Sequence, residues 1–285
     1  GQNLGGSERS GRPLLQVKQP GEWDTAYHSP VLADEIVGLM SGARNILDCT
    51  LGGGGHSAAL LAMGAQVTAI DRDPDALDEA RNRLAAYEAE GRFRAILGNF
   101  AEADRLLPEM SEKFDGILAD LGVSSHQFDD AARGFSFREG APLDMRMSDS
   151  ADTTASDLLN TGEESELARI FRDYGDEPHA RKLAREIVRR RENRPAATSD
   201  DLVGAIRAVL GPRSGASEFA RIFQAVRIAV NDELSSLEAA LPVLREMLAP
   251  CGVLAVISYH SGEDRMTKHT MREWSRDCIC PPRQP

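Results

Sequence analysis

The apolar and polar positions in the first half of the chain follow two alternating periodicities. Short, nearly continuous apolar runs predict buried strands, and the longer segment Pro74–Glu90 carries apolar residues at helical spacing. The runs that predict strands are Ile46–Asp48, Gln66–Ile70, Phe93–Leu97 and Phe114–Leu121. Apolar strands separated by helices are typical of a parallel sheet covered on both faces, so we expect an α/β fold.

The alternation of predicted strands and helices stops near residue 150 and resumes near residue 211. In between, the spacing predicts helices only, over Ala155–Leu159, Glu163–Tyr174, His179–Glu192 and Ser199–Leu210. Beyond it, we predict a helix over Ala220–Leu248 with a break at Pro242, and a strand over Gly252–Ile257. The predicted organisation is a flexible tail (1–26), a discontinuous α/β domain (27–148 and 212–285) and an inserted all-helical subdomain (149–211).

Composition narrows the classes of function. The 285 residues carry a net charge of −12, which argues against a uniformly basic nucleic-acid binder. No apolar run approaches the roughly 20 residues of a membrane span, and the first residues lack a signal-peptide core. We therefore expect a cytoplasmic protein with reduced thiols and no membrane partner. Cys278 and Cys280 are too sparse for a metal site, so no metal is expected.

Positive charge is nevertheless concentrated in the helix predicted over His179–Glu192. Arg181, Arg185 and Arg189 recur at intervals of four residues and therefore share one helix face. Such a face is either the solvated side of an amphipathic helix or a surface that binds nucleic-acid phosphates, and the pattern does not decide between them.

The strongest local signal is a loop of four glycines, Gly52–Gly55, between the first predicted strand and a helix-compatible stretch. Glycine lets the backbone approach a ligand closely, and such loops at the carboxyl ends of parallel strands bind nucleotide-like cofactors. Gly53-x-Gly55-x-x-Ala58, with Asp71 further on, also satisfies the dinucleotide fingerprint. A plain strand–helix turn is the alternative without a ligand. The loop lacks the Lys-Ser/Thr pair of a P-loop.

Eight motifs in a fixed order narrow these alternatives. They are Tyr27–Leu32, Asp48–Ser57, Ala69–Pro74, Asp120–Ser125, Arg133–Phe137, Pro142–Met147, Phe223–Ile228 and Ile257–Arg265. Together they resemble the bacterial small-subunit ribosomal RNA methyltransferase H family, also called MraW, from about Tyr27 to Pro282. Any single motif would be weak, whereas eight in register are highly specific.

This resemblance implies a Rossmann-like class I methyltransferase sheet that binds S-adenosylmethionine, with an inserted all-helical subdomain. The implied reaction is methyl transfer to N4 of a cytidine in the decoding region of small-subunit (16S) rRNA. The implied partner is that rRNA, within an assembled or assembling 30S-type subunit, and a homodimer stays open. By motif, the implied cofactor contacts are Gly54, Gly55, His56, Asp71, Phe100, Asp120 and Gln127, and Gly53 of the same loop is also predicted to contact the cofactor.

The chain departs from the family's usual pattern at three positions. Gly53 stands where the family usually has Arg or a similar residue. Tyr259 and Gly262 stand where it usually has Phe and Leu. The glycine changes are expected to loosen the loops, but they remove none of the polar groups on which the predicted site depends.

The exocyclic amine of cytosine is a poor nucleophile, because its lone pair is delocalised into the ring. It needs hydrogen-bond acceptors and a well-placed methyl donor, and Asp120 at the end of the fourth strand is the first candidate acceptor. His260 and Asp144 are further catalytic candidates, against a structural histidine and an Asp144–Arg146 surface salt bridge. The residues predicted to contact the substrate are Arg146, Tyr259, Ser261, Arg181, Arg185 and Arg189.

Two other functions stay open at this point. An NAD-dependent oxidoreductase would use the same glycine loop, although the sequence offers no accepted catalytic pairing for hydride transfer. An RNA-binding or assembly factor would keep the fold without the reaction, although Asp71, Asp120 and the glycine loop argue against it.

Overall fold

The apolar runs of the first half form parallel strands, as predicted. The strands are β1 (Asn45–Asp48), β2 (Gln66–Asp71), β3 (Phe93–Leu97), β4 (Phe114–Asp120) and β5 (Leu248–Ile257). In this computed structural model, which describes residues 30–108, 113–124, 127–128, 130–148 and 151–276, they form one sheet of order β3-β2-β1-β4-β5. Every pairing between these strands is parallel. The predicted tail and the Cys278–Cys280 pair lie outside the described residues.

Helices cover both faces of this sheet, because successive strand residues point to opposite faces and both sets are apolar. In the described residues the helices are α1 (Ala33–Leu39), α2 (Gly55–Ala62), α3 (Pro74–Ala89), α4 (Ala103–Leu106), α5 (Ala155–Thr161), α6 (Glu164–Asp173), α7 (Ala180–Arg191), α8 (Ser199–Leu210), α9 (Ala216–Asn231), α10 (Glu233–Met247) and α11 (Ser261–Trp274). Ile46 and Leu118 pack with α1–α3, whereas Leu47 and Ile117 pack with α4 and α10. No helix of the described residues is long and apolar enough to cross a membrane.

The last strand begins earlier than the sequence predicts. Leu248 pairs with Phe114, and the register then shifts so that Val253 pairs with Gly116. The chain bulges between these pairs, where Cys251 takes φ +65°. A prediction from the sequence pattern misses this first part of the strand, because Pro250 and Gly252 are residues that normally interrupt strands.

The helix break predicted at Pro242 is wrong. The chain instead breaks at Asp232, which takes the left-handed φ of +49° between α9 and α10. Pro242 lies at an exposed position inside α10. Because proline has no N–H, the carbonyl of Glu238, which is also exposed, lacks its usual helical hydrogen bond. Water can hydrate that carbonyl, so the proline does not end the helix.

Helices α5–α9 form a separate layer with its own apolar core. This core includes Leu167 of α6, Leu183 of α7 and Phe223 of α9, all buried. Phe135 and Leu143, from the loop that follows β4, pack into the same core. The predicted division at residues 149 and 211 therefore stays a proposal, and the packing favours moving both boundaries outward to include this loop and α9.

Candidate functional site

A cleft of about 540 Å³ opens at the carboxyl ends of β1, β2 and β4. Its volume lies within the range of small-ligand sites, about 300–1,000 Å³. The predicted site residues that line it are Gly53, Gly55, His56, Asp71, Phe100, Asp120, Gln127 and Tyr259. The predicted site residues that do not line it are Gly54, Asp144, Arg146, Arg181, Arg185, Arg189, His260 and Ser261. The cleft thus brings together most of the predicted cofactor contacts and few of the predicted substrate contacts.

The glycine loop carries the chain from β1 into α2. Gly54 is the N-cap of α2 and has φ +76°, a conformation that favours glycine. A Cβ on Gly54 would lie 3.2 Å from Ala80 Cβ and from Leu84 Cδ1 of α3. Gly54 therefore packs against α3, whereas Gly53 and Gly55 on either side of it line the cleft.

Asp48 lies beneath this loop and holds its two ends together. Its fully buried carboxylate accepts hydrogen bonds from the Ser57 hydroxyl at 2.7 Å and from the Thr50 amide at 3.1 Å. Burial raises the pKa of Asp48, and these bonds oppose that rise. The sequence places Asp48 at the end of an apolar run but assigns it no role in the site.

Asp71 ends β2 and presents its carboxylate to the cleft. The Gly52 amide donates to Oδ2 at 2.7 Å, and the Asp73 amide donates to Oδ1 at 2.9 Å. Burial raises the pKa of Asp71 to about 6, against the lowering effect of these two bonds. A carboxylate has about four lone-pair sites, so Asp71 can still accept hydroxyl donors from a ligand. Phe100 begins a short 3₁₀ segment (Phe100–Glu102) and lines the same cleft.

Asp120 ends β4 and lies between two side chains. The Tyr259 hydroxyl donates to Oδ1 at 2.9 Å, and Nε2 of His56 lies 3.3 Å from Oδ2. The Asp120 amide donates to the Thr50 hydroxyl at 2.7 Å, which ties β4 to the start of the glycine loop. Burial and the adjacent Asp120 carboxylate raise the pKa of Tyr259, so its hydroxyl stays a donor. Tyr259 is a predicted substrate contact, and in the structure its hydroxyl is hydrogen-bonded to Asp120.

His56 is the second residue of α2 and is 6% exposed. Within the part of the chain that the structure describes, neither ring nitrogen has a hydrogen-bond partner, because the approach of Nε2 to Asp120 lacks hydrogen-bond geometry. Buried polar atoms are normally paired. Since His56 lines the cleft, its unpaired nitrogens indicate a polar group that a ligand would supply.

Gln127 lines the cleft, but its side chain is committed elsewhere. Its amide Nε2 donates to Oδ2 of the buried Asp73 at 2.6 Å, and its Oε1 accepts from the Ser124 amide at 3.1 Å. Asp73 also accepts from the Asp75 amide and so caps α3, with Pro74 as the first helical residue. The side chain of Gln127 is therefore held within the cleft wall by its bonds to Asp73 and Ser124. A direct contact with the cofactor stays a prediction.

His260 is placed in a structural contact and not at the cleft. Its side chain caps α11, because Nδ1 accepts from the amides of Gly262 and Glu263. Nε2 lies 3.1 Å from the buried carboxylate of Glu263, which also accepts from the Tyr259 amide. Ser261 donates to Asp176 at an exposed position. A catalytic role for His260 would require it to leave this cap, so the structure favours the structural interpretation.

Asp144 and Arg146 pair with each other through two parallel hydrogen bonds, at 2.8 and 2.9 Å. Both side chains are about 30% exposed, and the bonds from Arg146 lower the pKa of Asp144. The pair does not line the cleft, although Met147, the next residue, does. The salt bridge named as the alternative is thus present, and a substrate role for the pair stays a proposal.

The three arginines of α7 share an exposed face, as predicted. Leu183, Ala184 and Ile187 point into the core of the helical layer. Arg189 pairs with Glu186 at 2.7 Å, and Arg185 lies 3.6 Å from Glu164. The face is therefore positively charged but partly neutralised by neighbouring acids. Among the described residues, no group of three or more His, Cys, Asp or Glu could hold a metal ion.

A parallel sheet of this order, with a glycine loop after β1 and an acid ending β2, is a Rossmann-like sheet of the class that binds nucleotide-like cofactors, methyltransferases among them. Comparison with known proteins agrees, since residues 25–285 match the MraW methylase family. The chain belongs to that family.

Two relatives show how far the similarity extends. The chain is 65% identical to the ribosomal RNA small subunit methyltransferase H of Gemmatimonas aurantiaca, over 90% of this chain and 82% of the relative. It is 46% identical to the protein of the same name from Heliobacterium modesticaldum, over 90% of this chain and 84% of the relative. Among solved structures, a putative methyltransferase from Streptococcus mutans in complex with SAH shares 12% identity at a TM-score of 0.42, over 88% of each chain.

Proposed function

We propose that this protein transfers a methyl group from S-adenosylmethionine to N4 of a cytidine in the decoding region of small-subunit rRNA. Membership of the MraW methylase family and the names of the relatives support methylation of small-subunit rRNA. The observation that carries the proposal is that Asp71 and Asp120 line one cleft beside the glycine loop. One carboxylate is suited to a ribose and the other to an amine.

The residues of the cleft fit S-adenosylmethionine. Asp71 would accept hydrogen bonds from the two ribose hydroxyls, and Phe100 would lie against the adenine. Gly53 and Gly55 line the cleft, so the methionine part would lie against their backbone, and a polar group of the cofactor would pair with the His56 ring. When bound, this cofactor supplies a methyl group on a positively charged sulfur.

Asp120 is suited to the target amine. With Tyr259 on one oxygen and His56 near the other, the carboxylate is held in place but keeps free lone pairs. It would accept a hydrogen bond from the cytosine amine and so orient the nitrogen lone pair. The amine gains positive charge as its bond to carbon forms, and a fixed negative charge stabilises that change. The proton then leaves from nitrogen, either to the carboxylate or to water.

The substrate side extends from the cleft over the helical layer. A base in structured RNA has to be unstacked or already single-stranded before it reaches such a cleft. Tyr259 lies at the cleft and is 53% exposed, so its ring is available to that base. Asp144, Arg146 and Ser261 would contact flanking nucleotides, and Arg181, Arg185 and Arg189 would contact phosphates. We propose that the substrate is an assembled or assembling 30S-type subunit in the cytoplasm; a homodimer is compatible with this.

The deciding experiment is nucleoside mass spectrometry of small-subunit rRNA after incubation with the protein and S-adenosylmethionine. Subunits lacking the modification are required as substrate, with naked rRNA in parallel. We expect one N4-methylated cytidine, which maps to the decoding region after nuclease digestion. Methylation of another base, or none on either substrate, would contradict the proposal. Calorimetry with NAD in place of S-adenosylmethionine tests the oxidoreductase alternative, for which we expect no binding.

A further inference from the structure

The segment Asp144–Met147 is held in an unusual backbone conformation. Met145 has φ +62°, in the left-handed region that residues other than glycine, asparagine and aspartate rarely adopt. Its side chain is fully buried in the helical layer. Such a conformation persists only where the surrounding structure enforces it, and it occurs most often at functional sites. The contacts that hold Met145 in this conformation therefore bear on the function of the segment.

Arg133, from the loop after β4, and Asn231, from the end of α9, supply these contacts. Nη2 of Arg133 donates to the carbonyls of Arg146 and Met147 at 3.2 and 3.3 Å, and the Met145 amide donates back to the Arg133 carbonyl at 2.9 Å. Asn231, at the end of α9, donates to the Met145 carbonyl at 2.7 Å and accepts from the Met147 amide at 2.8 Å. Both partners bond to backbone atoms, so they fix the path of the segment and not one side chain.

Close packing of the loop adds to this restraint. Gly134 has φ +72°, and a Cβ at that position would overlap the Pro142 carbonyl oxygen. The two limbs of the loop are therefore in direct backbone contact, which only glycine permits. A movement of Arg133 would have to move the segment as well.

The same two residues attach the segment to the turn after β2. Nη1 of Arg133 lies 2.5 Å from Oδ2 of Asp73, a buried carboxylate that is 1% exposed. Nη1 of Arg72 donates to the Asn231 carbonyl at 2.9 Å. Arg72 and Asp73 directly follow Asp71, and the Asp73 amide donates to the Asp71 carboxylate. Asp71 is thus connected to the segment by two short chains of bonded groups.

We propose that Arg133 is a positioning residue that couples the cofactor side of the cleft to the substrate side. It holds Asp144–Met147 in the conformation that sets Met147 in the cleft wall and the Asp144–Arg146 pair beside it. A ligand bound at Asp71 stabilises the turn through Asp73, and Arg133 transmits this to the segment. Because coupling between two sites is reciprocal, S-adenosylmethionine and the small subunit each strengthen binding of the other. The inference rests on the proposed function for the identity of both ligands.

Hydrogen exchange on the unmodified protein tests the first half of this proposal. Adding S-adenosylmethionine should slow amide exchange of Met145 and Met147 by about fivefold or more, in addition to that of the glycine loop. Both amides are hydrogen-bonded in the segment, so their exchange reports its opening. If S-adenosylmethionine slows amide exchange in the glycine loop but not in the segment, the proposed coupling is wrong. This measurement uses no RNA, so it stands apart from the test of methyl transfer.

The variant Arg133→Lys tests the second half. Lysine keeps a positive charge for Asp73, but it lacks the planar fork that also reaches two carbonyls. We expect the KM for small subunits to rise about tenfold, with kcat and the Kd of S-adenosylmethionine for the free protein changed less than twofold. In the unmodified protein, bound subunits should lower the Kd of S-adenosylmethionine by a certain factor. In Arg133→Lys, this factor should be less than half as large. Arg105→Lys, at an exposed arginine paired with Glu102, is the control.

The outcomes are separable. An unchanged KM and unchanged coupling in Arg133→Lys overturn the proposal. A parallel loss of cofactor affinity, kcat and thermal unfolding midpoint shows a structural role only and also overturns it. If the unmodified protein methylates no subunit, the proposed function fails, whereas the exchange result decides the coupling by itself.

Discussion

The cleft and the arginine face of α7 are both charged, but their charges are held in different ways. In the cleft, Asp71 is half-buried and accepts hydrogen bonds from two backbone amides. On α7, the side chains of Arg185 and Arg189 are 72% and 64% exposed and lie beside the carboxylates of Glu164 and Glu186. Buried charges act at short range with fixed geometry, whereas exposed ones are weakened by water and salt. We therefore expect single substitutions to have large effects in the cleft and small ones on α7.

The largest expected effect is that of Asp120→Asn. Asparagine keeps the size and one acceptor oxygen but loses the charge that would stabilise the amine as it becomes positive. Turnover at saturating S-adenosylmethionine should fall by roughly 10²-fold or more, measured as methyl transfer to small subunits. Asp78→Asn, at an exposed position on α3, is the control. Near-normal turnover at saturating cofactor would reduce Asp120 to a cofactor anchor.

Asp71→Ala should affect binding more than turnover. The substitution removes the carboxylate that would hold the ribose, and loss of charge-assisted hydrogen bonds costs about 1–3 kcal/mol. Calorimetry should therefore show S-adenosylmethionine affinity weakened by roughly 5- to 150-fold. The Asp104→Ala variant, at an exposed residue of α4, should bind normally. An unchanged Kd in Asp71→Ala removes this residue from the site.

The raised pKa of Asp71 predicts a dependence of binding on pH. Below about pH 6 its carboxyl is increasingly protonated and loses acceptor capacity. Affinity for S-adenosylmethionine should therefore fall about tenfold between pH 7 and pH 5. Asp71→Asn, which does not titrate, should show a flatter profile, and equal profiles would contradict the assignment.

Stability should respond to Asp71 in the opposite direction. Its pKa in the fold, about 6, lies above the ordinary value of 3.8, so protonation favours the folded state. The stabilising contribution is complete below pH 3.8 and is lost as the pH rises through about 6. Binding and stability thus provide two readouts of one carboxyl group.

The smallest effect is expected on α7. Changing Arg181, Arg185 and Arg189 together to Gln should weaken subunit binding by about fivefold and flatten its dependence on salt. Affinity for S-adenosylmethionine should not change. The triple change of Arg105, Lys268 and Arg276, all exposed and ion-paired on the α/β part, removes the same charge elsewhere. If both triple variants lower the salt slope equally, the effect comes from net charge and not from this face.

The sequence predicts the strands and the glycine loop well because their signals are local. An apolar run that ends in an acid identifies β1, β2 and β4 without knowledge of their neighbours. The break at Asp232 also has a local signal that the prediction at Pro242 overlooked, since Asn231 and Asp232 belong to the few residues that tolerate a left-handed turn.

The contacts behind the cleft could not be predicted in this way. Arg133 meets Asp73 across 60 residues of chain, and Asn231 meets Met145 across 86. Neither pair has a spacing that a helix or strand would make recognisable. His260 shows the opposite problem, because its polar surroundings resemble a substrate site, yet its partners are the amides of the next helix. Only the three-dimensional arrangement separates a cap from a catalytic group.

The pairing of β4 with β5 has a consequence for how the chain is made. About 130 residues separate the end of β4 from the start of β5, which takes a ribosome roughly 6–26 s at 5–20 residues per second. During that time β4 has β1 on one side and an open edge on the other, and open edges invite pairing with other chains. The helical layer is synthesised in this interval. Because this layer packs into a core of its own, its folding leaves the edge of β4 open until β5, the last strand, has been made.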